Sequence, residues 1–428
     1  MNSRVVIIGG GAAGFFAAIT CAEAAPGTEV ILLERGPQFL SKVKISGGGR
    51  CNVTHACFDA REMTLRYPRG EHALIAPFKQ FQARDTVAWF ENRGVKLKTE
   101  EDGRMFPTTD TSQTIIDCLL HHVRAAGVNL TLNCGVDAVK RRADGRFEVF
   151  TERRASARRE NESDEQLAEP VPGAPIIGDK LLLAIGGCRT PALGQLAVSL
   201  GHTLEPPVPS LFTFHIDDPW LRGLAGISVA TVEASVPDAK LCENGPLLIT
   251  HWGLSGPAIL RLSAWGARVL HEKNYRFPLH VNWLPHLNAE KLAAILQSRR
   301  QAQAAKLVVN SSITPLPARL WEQLVLASGL ARDTRWSALS RSAQHKLIQQ
   351  LLRTEFQVTG KSLNKDEFVT CGGVRLSEVN FKTMESKICP GLFFAGEVLD
   401  IDGITGGFNF QSAWTTGWLA GQAMAKAL

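Results

Sequence analysis

The feature that most constrains this 428-residue chain is Gly9-Gly10-Gly11-Ala12-Ala13-Gly14, set between a Val/Ile run ending at Ile8 and an alanine-rich, helix-period stretch reaching about Ala25. The pattern reads as strand, tight turn, helix. Gly9 lets the chain turn, Gly11 lets backbone approach a diphosphate, and Gly14 lets helix and strand pack closely. The N–H groups of Gly11, Ala12 and Ala13 open the positive end of that helix. A second strand, Glu29 to Leu33, ends at Glu34, twenty residues after Gly14. A carboxylate there accepts hydrogen bonds from ribose hydroxyls and disfavours a 2′-phosphate. The competing reading, a glycine-rich turn that binds nothing, leaves strand, helix and acid in register unexplained.

One fingerprint cannot separate a resident flavin from a diffusing nicotinamide, so the distal segments matter. Ser46-Gly47-Gly48-Gly49-Arg50-Cys51-Asn52 is a second glycine-rich loop, able to wrap a long dinucleotide with backbone N–H groups and Arg50; a surface turn is the alternative. Lys180 to Ile185 reads as a buried parallel-type strand ending in Gly186-Gly187, which returns the chain to the cofactor. Near the other end, the strand from Gly391 runs into Gly396, Glu397, Asp400, Gly403, Gly406, Gly407, Phe408 and Asn409, before a helix expected over Gln411 to Ala427. A glycine cluster opening a helix has a use at a flavin and its diphosphate. These features together predict FAD. No second G-x-G-x-x-G is present, so a hydride donor such as NAD(P)H has to visit transiently.

Composition narrows the class. A formal net charge of +6 suits an anionic ligand or RNA but is not specific to either. The nine cysteines lack a CxxC pair, so neither a disulfide framework nor a metal site is written in their spacing. No apolar run approaches the roughly 20 residues that span a bilayer, and the signal-like character of residues 1–26 is accounted for by the glycine fingerprint. A cytoplasmic protein with reduced thiols and no membrane segment is expected. Oligomeric state is not legible.

The fold class expected is α/β, a Rossmann-type FAD-binding domain with an inserted β-rich domain and a small helical subdomain. The boundaries read as 1–190 for the first part of the FAD domain, 191–285 for the β-rich insert, 286–360 for the helical part and 361–428 for the return. Short alternating runs between Pro206 and Phe277 suggest antiparallel strands. Helical spacing covers residues 289–304 and 316–356. The mixed-charge, proline-rich segment 152–179 reads as a mobile surface insertion.

The stretches VVIIGGGAAG, KISGGGRCNVT, EDGRMFP, LLLAIGG, ITHWGLSGPAIL, VTCGGV, KTMESK and PGLFFAGEVLDIDGITGGFNFQSAW resemble, end to end, the BaiN/RdsA-like FAD-dependent oxidoreductase family, also labelled aminoacetone-oxidase-type flavoproteins. The resemblance implies non-covalent FAD held by Gly9 to Gly14, Glu34, Gly48 to Asn52, a backbone contact near Val136, and Gly396 to Asn409. It implies activities that include reduction of carbon–carbon double bonds in steroid-like substrates and of uridine to dihydrouridine in large-subunit ribosomal RNA. One departure is visible: Cys188 to Leu196 is shorter than the family's loop there and lacks its Gly-Tyr pair.

Flavin carries the redox chemistry, so the protein has to position a substrate carbon and supply a proton. Candidate acids are His251, Cys51 and Cys371, and Glu397 is a further candidate near the glycine loops. The alternatives are a structural hydrogen bond for His251 and apolar filling for the thiols. Trp252, Phe106 and Phe408 would suit an apolar substrate. The leading expectation is NAD(P)H-dependent reduction of a carbon–carbon double bond, with ribosomal RNA uridine first among substrates. A small-molecule enone reductase, an amine oxidase using oxygen and a non-catalytic flavin-binding protein remain open.

Overall fold

A computed structural model describes residues 3–153, 174–188, 191–362 and 369–426. The chain forms two compact units, Met1–Pro209 with Val369–Leu428, and Ser210–Phe368.

The first unit is built on a parallel sheet that both chain ends supply. Strand β1 (Arg4–Ile8) pairs in parallel with β2 (Glu29–Leu33) on one side and with Lys180–Leu183 on the other. Asn129–Thr131 extends the sheet beyond β2, and Leu392–Phe394 extends it beyond Lys180–Leu183. Two short antiparallel strands, Glu385–Ser386 and Val379–Asn380, close the latter edge. Val5, Val6 and Ile7 are fully buried, as expected of a parallel strand covered on both faces. Helix α1 (Ala12–Ala24) covers one face and packs lengthwise on the C-terminal helix Phe408–Lys426. Small residues on both helices permit the approach: a Cβ on Gly417 would come within 2.4 Å of the Ala13 carbonyl oxygen.

The second unit carries a seven-stranded sheet in the order Thr354–Val358, Phe277–Asn282, Ser228–Val236, Leu241–Ile249, Gly253–Ser255, Thr213–His215, Gly360–Ser362, with antiparallel pairings throughout. Phe277–Asn282 alternates buried and half-buried side chains, and Thr354–Val358 alternates buried and exposed ones, so each shows one apolar face. Helices Ala289–Ala302, Ala318–Ala327 and Arg341–Leu352 bury Leu292, Leu296, Trp321 and Leu347 in the same core as Leu279, Val281 and Phe356.

This division differs from the expected boundaries for a physical reason. The helical part shares its core with the sheet, so it belongs to one unit with the β-rich insert. The expected helical spacing over 316–356 breaks into two helices followed by the Thr354–Val358 strand. Residues 191–209 stay with the first unit, where Leu204–Ser210 pairs with Val369–Val374. Most of the charged segment read as a mobile insertion, residues 154–173, lies outside the described residues; its end, Ile176–Gly178, is a strand paired with Phe147–Val149. In the shortened loop, residues 189–190 also lie outside them, and Pro191–Val198 is helical. No helix among the described residues is long and apolar enough to cross a membrane.

Candidate functional site

The site is assembled at the carboxyl ends of the parallel strands. Gly9 follows β1 at φ +113°, and a Cβ there would lie 2.2 Å from the Ala184 carbonyl oxygen, so the turn has room only for glycine. A Cβ on Gly14 would lie 2.0 Å from the Gly9 carbonyl oxygen. A Cβ on Gly11 meets nothing within 4 Å. The protein therefore leaves open the face of Gly11 at the start of α1, where the first turn has no side-chain cap and no acidic residue. That is an anion cradle: backbone N–H groups at the positive end of a 13-residue helix.

Glu34 is fixed beside it by N–H groups of Gly10 (2.8 Å) and Gly36 (2.7 Å), one on each carboxylate oxygen, leaving further lone pairs for hydroxyl donors. The main chain at Cys134 and Asn133 bonds back to Glu34 and Gly36, which brings Val136 to the same edge.

The second glycine loop interrupts helix α2 (Ser41–Gly49). Gly47, Gly48 and Gly49 all have positive φ, and Cβ atoms on Gly48 and Gly49 would meet nothing within 4 Å. Arg50 turns away from a simple wrapping role: its guanidinium is 2.6 Å from Glu100 and lies 4.0 Å from the Phe106 ring centre. Asn52, oriented to satisfy both neighbours, donates to the Thr54 carbonyl (3.1 Å) and accepts from the Gly407 N–H (2.9 Å). That contact joins the second glycine-rich segment to the last.

In the C-terminal loop, the N–H of Gly396 donates to Thr416 Oγ1 (2.9 Å) and the Asn409 amide bridges both polar groups of Gly403 (2.8 Å each). The N–H of Asp400 bonds to Val374 O (3.2 Å). Gly406 and Gly407 have φ of +128° and +94°. Phe408 is buried, stacked on His55 with ring centres 4.8 Å apart, and its carbonyl accepts from the Tyr67 hydroxyl (2.6 Å). Glu397 accepts from the Thr370 N–H (2.8 Å) and pairs with Lys42, beside Gly186 and Gly187.

The three candidate acids are not brought together in one unit. Cys51 is fully buried at φ +62°, and burial pushes its thiol up to about 12, against a hydrogen bond with Ser46 that lowers it. Cys371 is also fully buried, within the Val369–Val374 strand. His251 is exposed in the second unit, next to Trp252, which is 60% exposed. Phe106 and Phe408 are buried rather than lining an open surface.

Sequence reasoning missed two charged pairs. Lys42, four residues before the second glycine loop, pairs with Glu397. Asp402, fully buried, is gripped through both carboxylate oxygens by Arg69, with Nε to Oδ1 at 2.5 Å. The only signals were an acid two residues after Asp400 and a lysine four before Ser46. Among the described residues no group of His, Cys, Asp and Glu could hold a metal ion.

A parallel sheet, a helix opening on N–H groups without a side-chain cap, a carboxylate at the end of the second strand and glycine loops from both chain ends are the architecture of an FAD-dependent oxidoreductase. The family model described as "HI0933-like protein Rossmann domain" matches residues 3–423, and the chain belongs to that family. It is 30% identical to the ribosomal RNA dihydrouridine synthase of Escherichia coli strain K12 over 431 residues, covering 99% of this chain and 98% of that protein. It is 29% identical to the 3-dehydro-bile acid delta(4,6)-reductase of Clostridium scindens over 432 residues, covering 99% of each. Among solved structures, 3-ketosteroid-delta4-(5alpha)-dehydrogenase from Rhodococcus jostii RHA1 shares the fold with a TM-score of 0.51 at 14% identity, covering 99% of this chain and 97% of that one.

Proposed function

We propose that this chain is an NAD(P)H-dependent reductase of a carbon–carbon double bond conjugated to a carbonyl, with uridine of large-subunit ribosomal RNA as its first substrate. The observation that carries the reading is the end-to-end similarity to two reductive enzymes whose names denote saturation of a ring double bond. When bound, FAD would supply the hydride-transfer chemistry, with NAD(P)H as the electron source in this reading. The chain's own groups do the rest. The first N–H groups of α1, at Gly11, Ala12 and Ala13, would hold the diphosphate; Glu34 would orient the adenosine ribose; the backbone near Val136 would border the adenosine. Gly48, Gly49, Asn52 and the Gly396 to Asn409 loop would enclose the flavin half, on a protein working in the cytoplasm.

Mass spectrometry of ribosomal RNA from a deletion strain tests the substrate: loss of a dihydrouridine, restored by the gene, is expected. Unchanged dihydrouridine overturns the RNA reading. Similarity to the bile acid reductase favours a second reading, a small-molecule enone reductase. Anaerobic flavin bleaching by NAD(P)H, followed by reoxidation with an enone but not with RNA, would select it. Peroxide release with an amine, without NAD(P)H oxidation, would reject both in favour of an oxidase.

A further inference from the structure

The order of strands assigns the two halves of the dinucleotide to opposite sides of β1. Glu34 and the chain near Val136 follow the strands on the β2 side, so the adenosine would lie there. The flavin half would then be directed across the ends of Lys180–Leu183 and Leu392–Phe394, the strands that run into Gly186-Gly187 and Gly396-Glu397. Among the described residues, one ion pair, Lys42 with Glu397, occupies that ground. The Lys42 ammonium meets Glu397; the Lys42 side chain is 47% exposed and that of Glu397 is 19% exposed. A Cβ on Gly186 would lie 4.0 Å from Lys42 Nζ, and one on Gly187 would lie 2.9 Å from Glu397 Oε1. The carboxylate is anchored from its other side by the Thr370 N–H. Its charge is felt at the strand end, where burial and Glu397 together push the Cys188 thiol up to about 11.

We propose that Lys42, held in place by Glu397, is the cation that faces the isoalloxazine end of FAD and offsets the negative charge the cofactor gains on reduction. This rests on the FAD reading above. Taking up two electrons and one proton leaves bound FAD with one additional negative charge. An ammonium nearby favours that state, and the carboxylate opposes it. Both groups are partly screened by solvent, so the effect of each is modest. The pair makes predictions of opposite sign, which a merely structural salt bridge does not.

The test is an anaerobic dye-equilibrium titration of the FAD-loaded protein, together with the dissociation constant of oxidised FAD from the apoprotein. Lys42→Met and Lys42→Gln are expected to weaken the preference for reduced over oxidised FAD about tenfold, which is about 30 mV lower for a two-electron couple. Glu397→Gln keeps an oxygen for the Thr370 N–H, removes the negative charge, and is expected to raise the potential by a similar step. Lys42→Arg should stay within about threefold of the parent. Potentials that do not move in either neutral Lys42 variant, or that move in the same direction in Lys42→Met and Glu397→Gln, overturn the proposal while leaving FAD binding intact. A parent protein that binds no FAD overturns the proposal and the cofactor reading together.

Discussion

Gly11 and Gly14 look equivalent in the fingerprint, yet the structure separates them. Gly11 has φ −94° and ψ −169°, an extended conformation open to alanine, and its added methyl meets no protein atom within 4 Å. Alanine is a poorer N-cap than glycine by about 0.5–1 kcal/mol, so Gly11→Ala should fold with a small loss. The methyl would stand on the open face that the proposed diphosphate site requires. Losing two hydrogen bonds to a charged group, at about 1.5–3 kcal/mol each, is worth about 3–6 kcal/mol. At 1.4 kcal/mol per decade, FAD should bind at least about 100-fold more weakly. Gly14→Ala places its methyl 2.0 Å from the Gly9 carbonyl oxygen and 3.3 Å from Leu32 Cδ1, while the Gly9 N–H is tied to Leu33 O at 2.8 Å. The turn cannot give without leaving the sheet, so the cost is about 3 kcal/mol or more and falls on the fold itself. Circular dichroism melts of the apoproteins and FAD titrations followed by flavin fluorescence separate the two effects. Parent-like FAD affinity in Gly11→Ala, or a parent-like melt in Gly14→Ala, refutes the assignment of roles.

Three further outcomes follow from the same geometry. Asp402→Asn leaves Arg69 without its buried counter-charge and should cost about 3–5 kcal/mol, seen as a lower melting temperature of the apoprotein; an unchanged melt would show that the pair contributes nothing to the fold. Cys51→Ala and Cys371→Ala should keep turnover per bound flavin within about threefold, because both thiols are sealed from substrate; a drop of about 100-fold in either would restore that thiol as the proton donor. His202, buried between Glu378 and Ser386 at 3.1 and 2.9 Å, has its pKa lowered by burial, with Glu378 opposing. The folded protein therefore resists protonating it. Its contribution is present above the unfolded value near 6.5 and is lost as pH falls below that toward the lower folded value. Melting temperature should decline between about pH 7 and 5.5, and His202→Gln should flatten the slope; an equal slope in the variant excludes His202 as its source.

Much of this site was legible because its parts are local. A glycine turn after a Val/Ile strand, a helix opening on free N–H groups and an acid ending the next strand are specified within 34 residues of chain. The same holds for the glycines before the C-terminal helix, although that helix begins at Phe408 rather than Gln411. The domain boundaries were less legible, because periodicity reports which face of a segment is apolar and not what covers it. Helices 289–302, 318–327 and 341–352 looked like a separate subdomain until their apolar faces met the sheet that includes Thr354–Val358.

By itself, then, the sequence determined that a glycine turn opens a helix after the first strand and that both ends of the chain supply the parallel sheet, since those depend on local backbone conformation and on runs of apolar residues. Tertiary structure alone decided which side chains serve it. Cys51 and Cys371 were withdrawn into the core, Arg50 was committed to Glu100, and Lys42 was set against Glu397 across 355 positions. The reason is that a side chain's charge and reach depend on neighbours far away in sequence, whereas a glycine turn carries its geometry with it.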